Sequence, residues 1–327
     1  MDDFKSGALN SNGIEIHYEE KGEGPLVIFC HGWPESWYSW RHQLNTIGSS
    51  GYRAVALHMR GYGRSTKPED IEAYSITNLV GDVVGVVQAL GASEAMVVGH
   101  DWGGPVAWYS ALMRPDIFRA VSVLSVPFNP PITLPHNISL NDVMATNAGE
   151  QNYYRLFFQE PGIAESDLES NVRNTMLGVL YSISGDIVAD GVHDKGWDGH
   201  FPMGETLSQQ FVIPKSLPEW LTQDDLDFYV KENSTSGFRG GLNWYRNIKS
   251  IPGLLAPFAG KTITQPALYL YGEHDQIAGN TPGAIQIMKE SLPNLRGCIE
   301  FKGAGHWLQQ ERPDSVNEEL IKFFQSV

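Results

Sequence analysis

Short apolar runs alternate with amphipathic stretches along the first 125 or so residues. Residues 14–19 alternate apolar and polar, which predicts a strand with one wet face. Leu26–Cys30 is a continuous apolar run and residues 95–98 a short one with β-branched residues, which predicts buried strands, and Arg53–Leu57 and residues 120–124 read as further strands. Helices are predicted between them, at residues 40–47, from Ser75 onward and at residues 105–113. In the second of these, Leu79, Val83, Val86, Val87 and Leu90 recur at helical spacing. Strand and helix alternating in this way imply a parallel sheet with helices on both faces.

The pattern breaks at Pro127-Phe128-Asn129-Pro130-Pro131. From there to about Pro252 the chain reads as helices rich in aromatic residues, with no convincing strand. The sheet pattern resumes at residues 266–271. A helix at 283–289, a short strand at 299–301 and a final helix at 313–325 follow. The expected organisation is therefore α/β, with a core of residues 1–128 and 256–327 and an inserted helical cap of residues 129–255.

Composition narrows the class. The 327 residues are 42% hydrophobic and 19% charged, enough for a full core. A net charge of −15 argues against nucleic acid or an anionic membrane surface as partner. No apolar run approaches the roughly 20 residues that span a bilayer. Residues 1–6 carry no apolar segment of the leader type. Cys30 and Cys298, two lone cysteines, suit a reducing compartment. A cytoplasmic location is expected.

The chemistry centres on Val97-Val98-Gly99-His100-Asp101-Trp102-Gly103-Gly104. A buried strand ends at a glycine, a polar triplet follows, and two more glycines open a helix. That is the shape of the nucleophile elbow G-x-S-x-G, with Asp101 where serine would stand. A carboxylate is ionised at neutral pH and can displace a leaving group from saturated carbon, leaving an alkyl ester on the protein. The plainer alternative is a turn aspartate capping the next helix. The other strand ends bear on this choice, because ligands of an open parallel sheet sit beyond the carboxyl ends of its strands. Those ends supply His31 to Glu35, then Glu273-His274-Asp275, then Gly305-His306-Trp307. Nucleophile, acid and histidine follow one another in the chain order of α/β-hydrolases, and this favours Asp101, Asp275 and His306 as a catalytic set.

At these residues the sequence resembles the epoxide hydrolases of the α/β-hydrolase fold. His31-Gly32-Trp33-Pro34-Glu35 resembles their H-G-x-P-E loop, Gly61-Tyr62-Gly63-Arg64-Ser65 their G-x-G-x-S loop, and residues 99–104 their G-H-D-W-G-G elbow. Tyr154, upstream of Phe158-Gln159-Glu160-Pro161-Gly162, and Tyr245, within Asn243-Trp244-Tyr245-Arg246, match the two cap tyrosines. The match runs from about Leu26 to about Pro313.

The resemblance implies conversion of an epoxide to a vicinal diol without cofactor or metal. Asp101 would attack an epoxide carbon while Tyr154 and Tyr245 donate to its oxygen. His306, held by Asp275, would then activate water against the ester. It further implies an oxyanion hole from the Trp33 and Trp102 amides, a water-positioning Glu35, and a cis bond before Pro34. The expected partners are a small hydrophobic epoxide and water, with the protein a monomer or homodimer. Trp37, Trp102, Phe158 and Trp307 are candidates to line the pocket. Alternatives remain at this point. A haloalkane or haloacid dehalogenase would use the same Asp, Asp and His, with N–H donors for halide. A non-catalytic small-molecule receptor would keep only the fold. His31, His100 and His274 read as structural or solvated histidines, since their spacing does not suggest a metal site.

Overall fold

The computed structural model describes residues 4–132, 138–279 and 283–327, without the side chain of Ile277. Residues 1–3, part of the segment on which the leader reading rests, lie outside it.

Strands β1 (Lys5–Ser11), β2 (Ile14–Lys21), β3 (Leu26–Cys30), β4 (Arg53–Leu57), β5 (Ala95–His100) and β6 (Phe118–Leu124) precede the cap. A two-residue pair, β7 (Asn152–Tyr153) and β8 (His200–Phe201), lies within it, and β9 (Ala267–Gly272) and β10 (Leu295–Phe301) follow. The main sheet runs β1-β2-β4-β3-β5-β6-β9-β10. The first hairpin and the β2–β4 pair are antiparallel and the rest is parallel. β1 was not expected from the sequence. Its residues KSGALNS are mostly polar and exposed, as suits an edge strand.

The central strands are apolar throughout because both of their faces are covered. Ile28 pairs with Val55 and Val97 across the sheet, and all three point toward helices α2 (Ile76–Ala89) and α3 (Gly103–Met113). Their neighbours Val27, Phe29, Ala54 and Val98 point the other way. They meet Leu44 and Ile47 of α1 (Arg41–Ser49) and Leu320 and Phe324 of the helix Pro313–Gln325. Each such buried side chain contributes about 1.5–3 kcal/mol.

Between β6 and β9 the chain adds no strand to the main sheet among the described residues. It builds a helical layer over the carboxyl ends of the strands. The helices Val172–Ser182 and Gln223–Ser236 pack together there. Buried hydrogen bonds fasten this layer to the core: the Trp244 indole donates to Arg60 O at 3.1 Å, and the Trp307 indole to Leu180 O at 2.7 Å. Gly240 lies against Gly61 so closely that an added Cβ would stand 2.2 Å from the Gly61 carbonyl oxygen. Among the described residues, no helix is long and apolar enough to cross a membrane.

Candidate active site

Strand order reverses around β3, which has β4 on one side and β5 on the other. The loops leaving β3 and β5 therefore part in opposite directions and open a crevice. Asp101 is the first residue after β5 and sits in the left-handed region, φ 51°. The turn is compact because glycine flanks it. A Cβ on Gly99 would lie 2.0 Å from Gly103 O, and one on Gly103 2.0 Å from Cys30 O. The elbow thus lifts the carboxylate to the mouth of the sheet while its backbone stays in contact with β3.

Three other strand ends converge on it. The Trp33 amide donates to Asp101 Oδ1 at 2.7 Å, and the Trp33–Pro34 peptide is cis. His306 places Nε2 3.7 Å from Asp101 Oδ2, while its Nδ1 faces Asp275 Oδ1 at 3.1 Å. Burial alone would strip the proton from His306. The Asp275 and Asp101 charges outweigh burial and lift it to about 9. Asp275 is likewise buried, and His306 holds its carboxyl below the usual range. The matching contact from the Trp102 amide is absent among the described hydrogen bonds, so of the two expected oxyanion donors only Trp33 touches the carboxylate.

Tyr154 and Tyr245 line the same cavity as Trp33, Asp101 and His306. They come from separate short helices, Tyr154–Phe157 and Arg239–Arg246, with ring centroids 5.8 Å apart. Gln159 ties the two helices together, its Nε2 donating to Arg155 O at 2.8 Å and Tyr245 O at 3.1 Å. Arg246 grips Glu165 with two bonds of 2.8 and 2.9 Å and donates to Phe158 O. Gly199 accepts the Tyr154 amide and leaves room for its ring. Burial keeps both phenols protonated well above the ordinary tyrosine range.

Other expected site residues stand elsewhere. Glu35 is buried behind the site, one carboxylate oxygen taken by His100 Nδ1 at 2.7 Å and the other by Gln309 and Gln310. Both of its oxygens are thus engaged, and it is not among the residues that line the cavity. Trp37 turns away in the 3-10 turn Trp37–Trp40 and packs with Phe4 and Phe228 outside the cavity. Phe158 is fully buried behind Trp33 and Tyr245, and Trp307 is fully buried against the His306 ring. Trp102 is half-buried against Tyr245. The apolar lining comes instead from Val179, Ile183, Trp197, Leu207 and Phe211 of the cap.

Sequence reasoning passed over one residue. Ser125, first after β6 and at φ 75°, brings its hydroxyl 3.0 Å from His306 Nδ1. The strand-end rule that picked the others would have found it. His100 bridges Glu35 and the His306 carbonyl, the latter at 2.7 Å, so it holds the catalytic candidates together as well as packing in the core. His31 bonds Gly32 O and the Met59 amide. Among the described residues no group of three or more His, Cys, Asp or Glu side chains could hold a metal.

An aspartate on a nucleophile elbow, with an acid and a histidine after later strands and a helical cap above, defines a hydrolase of the α/β type. Residues 25–313 match the family model of the alpha/beta hydrolase fold. An epoxide hydrolase of Caballeronia sordidicola is 38% identical over 98% of this chain and 93% of its own. Epoxide hydrolase B of Mycobacterium tuberculosis is 40% identical over 96% of each. A solved epoxide hydrolase from an endophytic Streptomyces superposes with a TM-score of 0.94 at 41% identity, covering 99% of this chain and 96% of that one. The chain belongs to the epoxide hydrolases of the α/β-hydrolase fold.

Proposed function

We propose that the protein opens epoxides to vicinal diols through an alkyl ester on Asp101, which His306-activated water then hydrolyses. The observation that carries this reading is the pair of phenols, Tyr154 and Tyr245, in the cavity that holds Asp101 and His306. A departing alkoxide needs a proton, and a halide does not, so two protonated hydroxyls favour epoxide over the dehalogenase alternative. The names of the relatives point the same way.

Each residue then has one task. Asp101 Oδ2 attacks, while Oδ1 stays on the Trp33 amide that later faces the oxyanion of ester hydrolysis. The phenols protonate the alkoxide. His306, aligned by Asp275 and Ser125, takes a proton from water. Glu35 and His100 fix the backbone that carries His306. The cap lining is apolar, which suits a small hydrophobic epoxide. A core of residues 1–128 and 256–327 with a cap of 129–255 fits this division of labour. No cofactor or metal enters any step.

The test traps the ester. His306→Gln keeps the nucleophile and removes the base. Incubated with styrene oxide, it is expected to gain one substrate mass per chain by intact mass measurement. Diol release at the unmodified rate, with no adduct, would overturn the scheme. Faster bromide release from 1-bromobutane than diol formation by the unmodified protein would favour the dehalogenase.

A further inference from the structure

The two phenols are not equivalent. Arg155 Nε donates to the Tyr154 hydroxyl oxygen at 2.9 Å. The guanidinium lies 5.5 Å from the Tyr154 ring centroid and 5.8 Å from that of Tyr153. Among the described residues no carboxylate is in ion-pair range of Arg155, although the side chain is half-buried. Its charge is therefore directed at the phenol rather than neutralised by an acid. No such donor reaches the Tyr245 hydroxyl among the described residues.

A phenol oxygen has one hydrogen and two lone pairs. When Arg155 occupies a lone pair, the hydrogen must point away from the guanidinium, and the other side of Tyr154 is the cavity over Asp101. A bond from a cation also strengthens as its acceptor gains negative charge. Both effects favour proton donation from Tyr154 in the ring-opening step.

We infer that Arg155 is the positioning residue that makes Tyr154 the leading acid of the pair. The inference rests on the Asp101 ester reading. As Asp101 Oδ2 bonds the epoxide carbon, the C–O bond breaks with its electron pair moving to oxygen. The Tyr154 proton passes to that oxygen, and the phenolate left behind faces the Arg155 cation. In the second half-reaction, water gives its hydroxyl to the ester carbonyl and one proton to His306. As the tetrahedral intermediate collapses, the ester C–O bond breaks with its electron pair moving to the diol oxygen, which takes the proton from His306. The proton left on the Asp101 carboxyl returns to the phenolate through solvent, and the enzyme is restored. Burial raises Tyr154 and Arg155 pulls against it, which agrees with this role.

The test is a double-mutant cycle on the alkylation step, measured by adduct mass and stopped-flow fluorescence in the His306→Gln background. Arg155→Gln is expected to slow alkylation about 10- to 100-fold. Added to Tyr154→Phe, it should cost nothing further, because the hydroxyl it acts on is gone. Added to Tyr245→Phe, it should keep its full effect. Arg155→Lys, which keeps the charge, should recover part of the rate. It also stands in if the glutamine variant does not fold. Equal slowing with and without the Tyr154 hydroxyl, or no slowing in either protein, would overturn the inference. Absence of an adduct in the His306→Gln parent would count against the ester reading instead. In that case the same cycle, run on kcat/KM for diol formation, still decides whether Arg155 acts through Tyr154.

Discussion

The cavity has two halves built in different ways. Its floor is made from strand ends: Trp33 after β3, Asp101 after β5, Ser125 after β6, Asp275 after β9 and His306 after β10. Sheet hydrogen bonds fix each position. The Trp33 amide then meets Asp101 at 2.7 Å, Ser125 and Asp275 meet His306 at 3.0 and 3.1 Å, and His306 Nε2 stands 3.7 Å from Asp101 Oδ2. Its roof is made from helix surfaces. Tyr154 and Tyr245 lie 91 residues apart in sequence, and side chains bring their helices together: Gln159, the Arg246–Glu165 pair and the Phe158 ring packed against both. A floor set by backbone pairing tolerates little change in geometry. A roof set by side chains can be retuned one residue at a time. On the proposed reading the floor supplies the nucleophile and the base that activates water, and the roof supplies the acid that suits an epoxide and the surface that it must fit.

The sharpest break in this comparison comes from the floor. Asp101→Ala removes the nucleophile and is expected to lower diol formation by about 10⁴-fold or more, as loss of a nucleophile does elsewhere. Circular dichroism should report an intact fold. Residual turnover within tenfold of the unmodified protein would show that water attacks the epoxide directly.

Changes in the roof should hurt less and on one step only. The double change Tyr154→Phe with Tyr245→Phe is expected to slow alkylation by about 10²- to 10⁴-fold, the usual range for general acid catalysis. Hydrolysis of an ester already formed should be unaffected, since that step uses the Trp33 amide and His306. Single-turnover fluorescence separates the two phases. Slowing of both phases alike would erase the distinction between floor and roof.

The pH dependence gives a smaller effect with a definite sign. In the free site His306 keeps its proton up to about pH 9, because the Asp275 and Asp101 charges outweigh burial. Hydrolysis needs the neutral ring, so its rate should rise with pH up to the midpoint of that titration. Esterification cancels the Asp101 charge, so the midpoint in the alkyl-enzyme should lie below 9. NMR of the His306 ring in the free protein, set beside the pH profile of single-turnover hydrolysis, checks this. Equal midpoints would contradict it.

The smallest effect concerns the tie between the two roof helices. Gln159→Ala removes both of its hydrogen bonds and is expected to lower stability by about 1–2 kcal/mol. Alkylation should slow a few-fold, with hydrolysis unchanged. Denaturant melts and the same fluorescence trace measure both.

The floor was legible in the sequence for a physical reason. Buried parallel strands are continuous apolar runs, and function gathers where they stop, so Asp101, Asp275 and His306 could be placed from pattern alone. Ser125 escaped because its serine follows an ordinary strand with no glycine signal, although its position obeys the same rule. β1 escaped because an exposed edge strand has no apolar run to betray it. The roof was legible only through its resemblance to a family. Periodicity predicts that the cap is helical but cannot say which faces of separate short helices converge. Trp37 shows the limit of adjacency: it lies four residues beyond Trp33, yet the intervening turn sends it to Phe4 and Phe228. Glu35 shows another. Its neighbours Gln309 and Gln310 come from the far end of the chain, and they settle its orientation.

The most direct measurement follows the oxygen. One turnover in heavy-oxygen water, with enzyme in excess over epoxide, is followed by digestion and mass spectrometry of the peptide containing Asp101. The predicted result is label in the Asp101 carboxylate and none in the first diol released, because water attacks the ester carbonyl and the diol carries away the original carboxylate oxygen. Label in the diol after that single turnover, with an unlabelled Asp101 peptide, would mean that water opens the epoxide itself and that no ester forms.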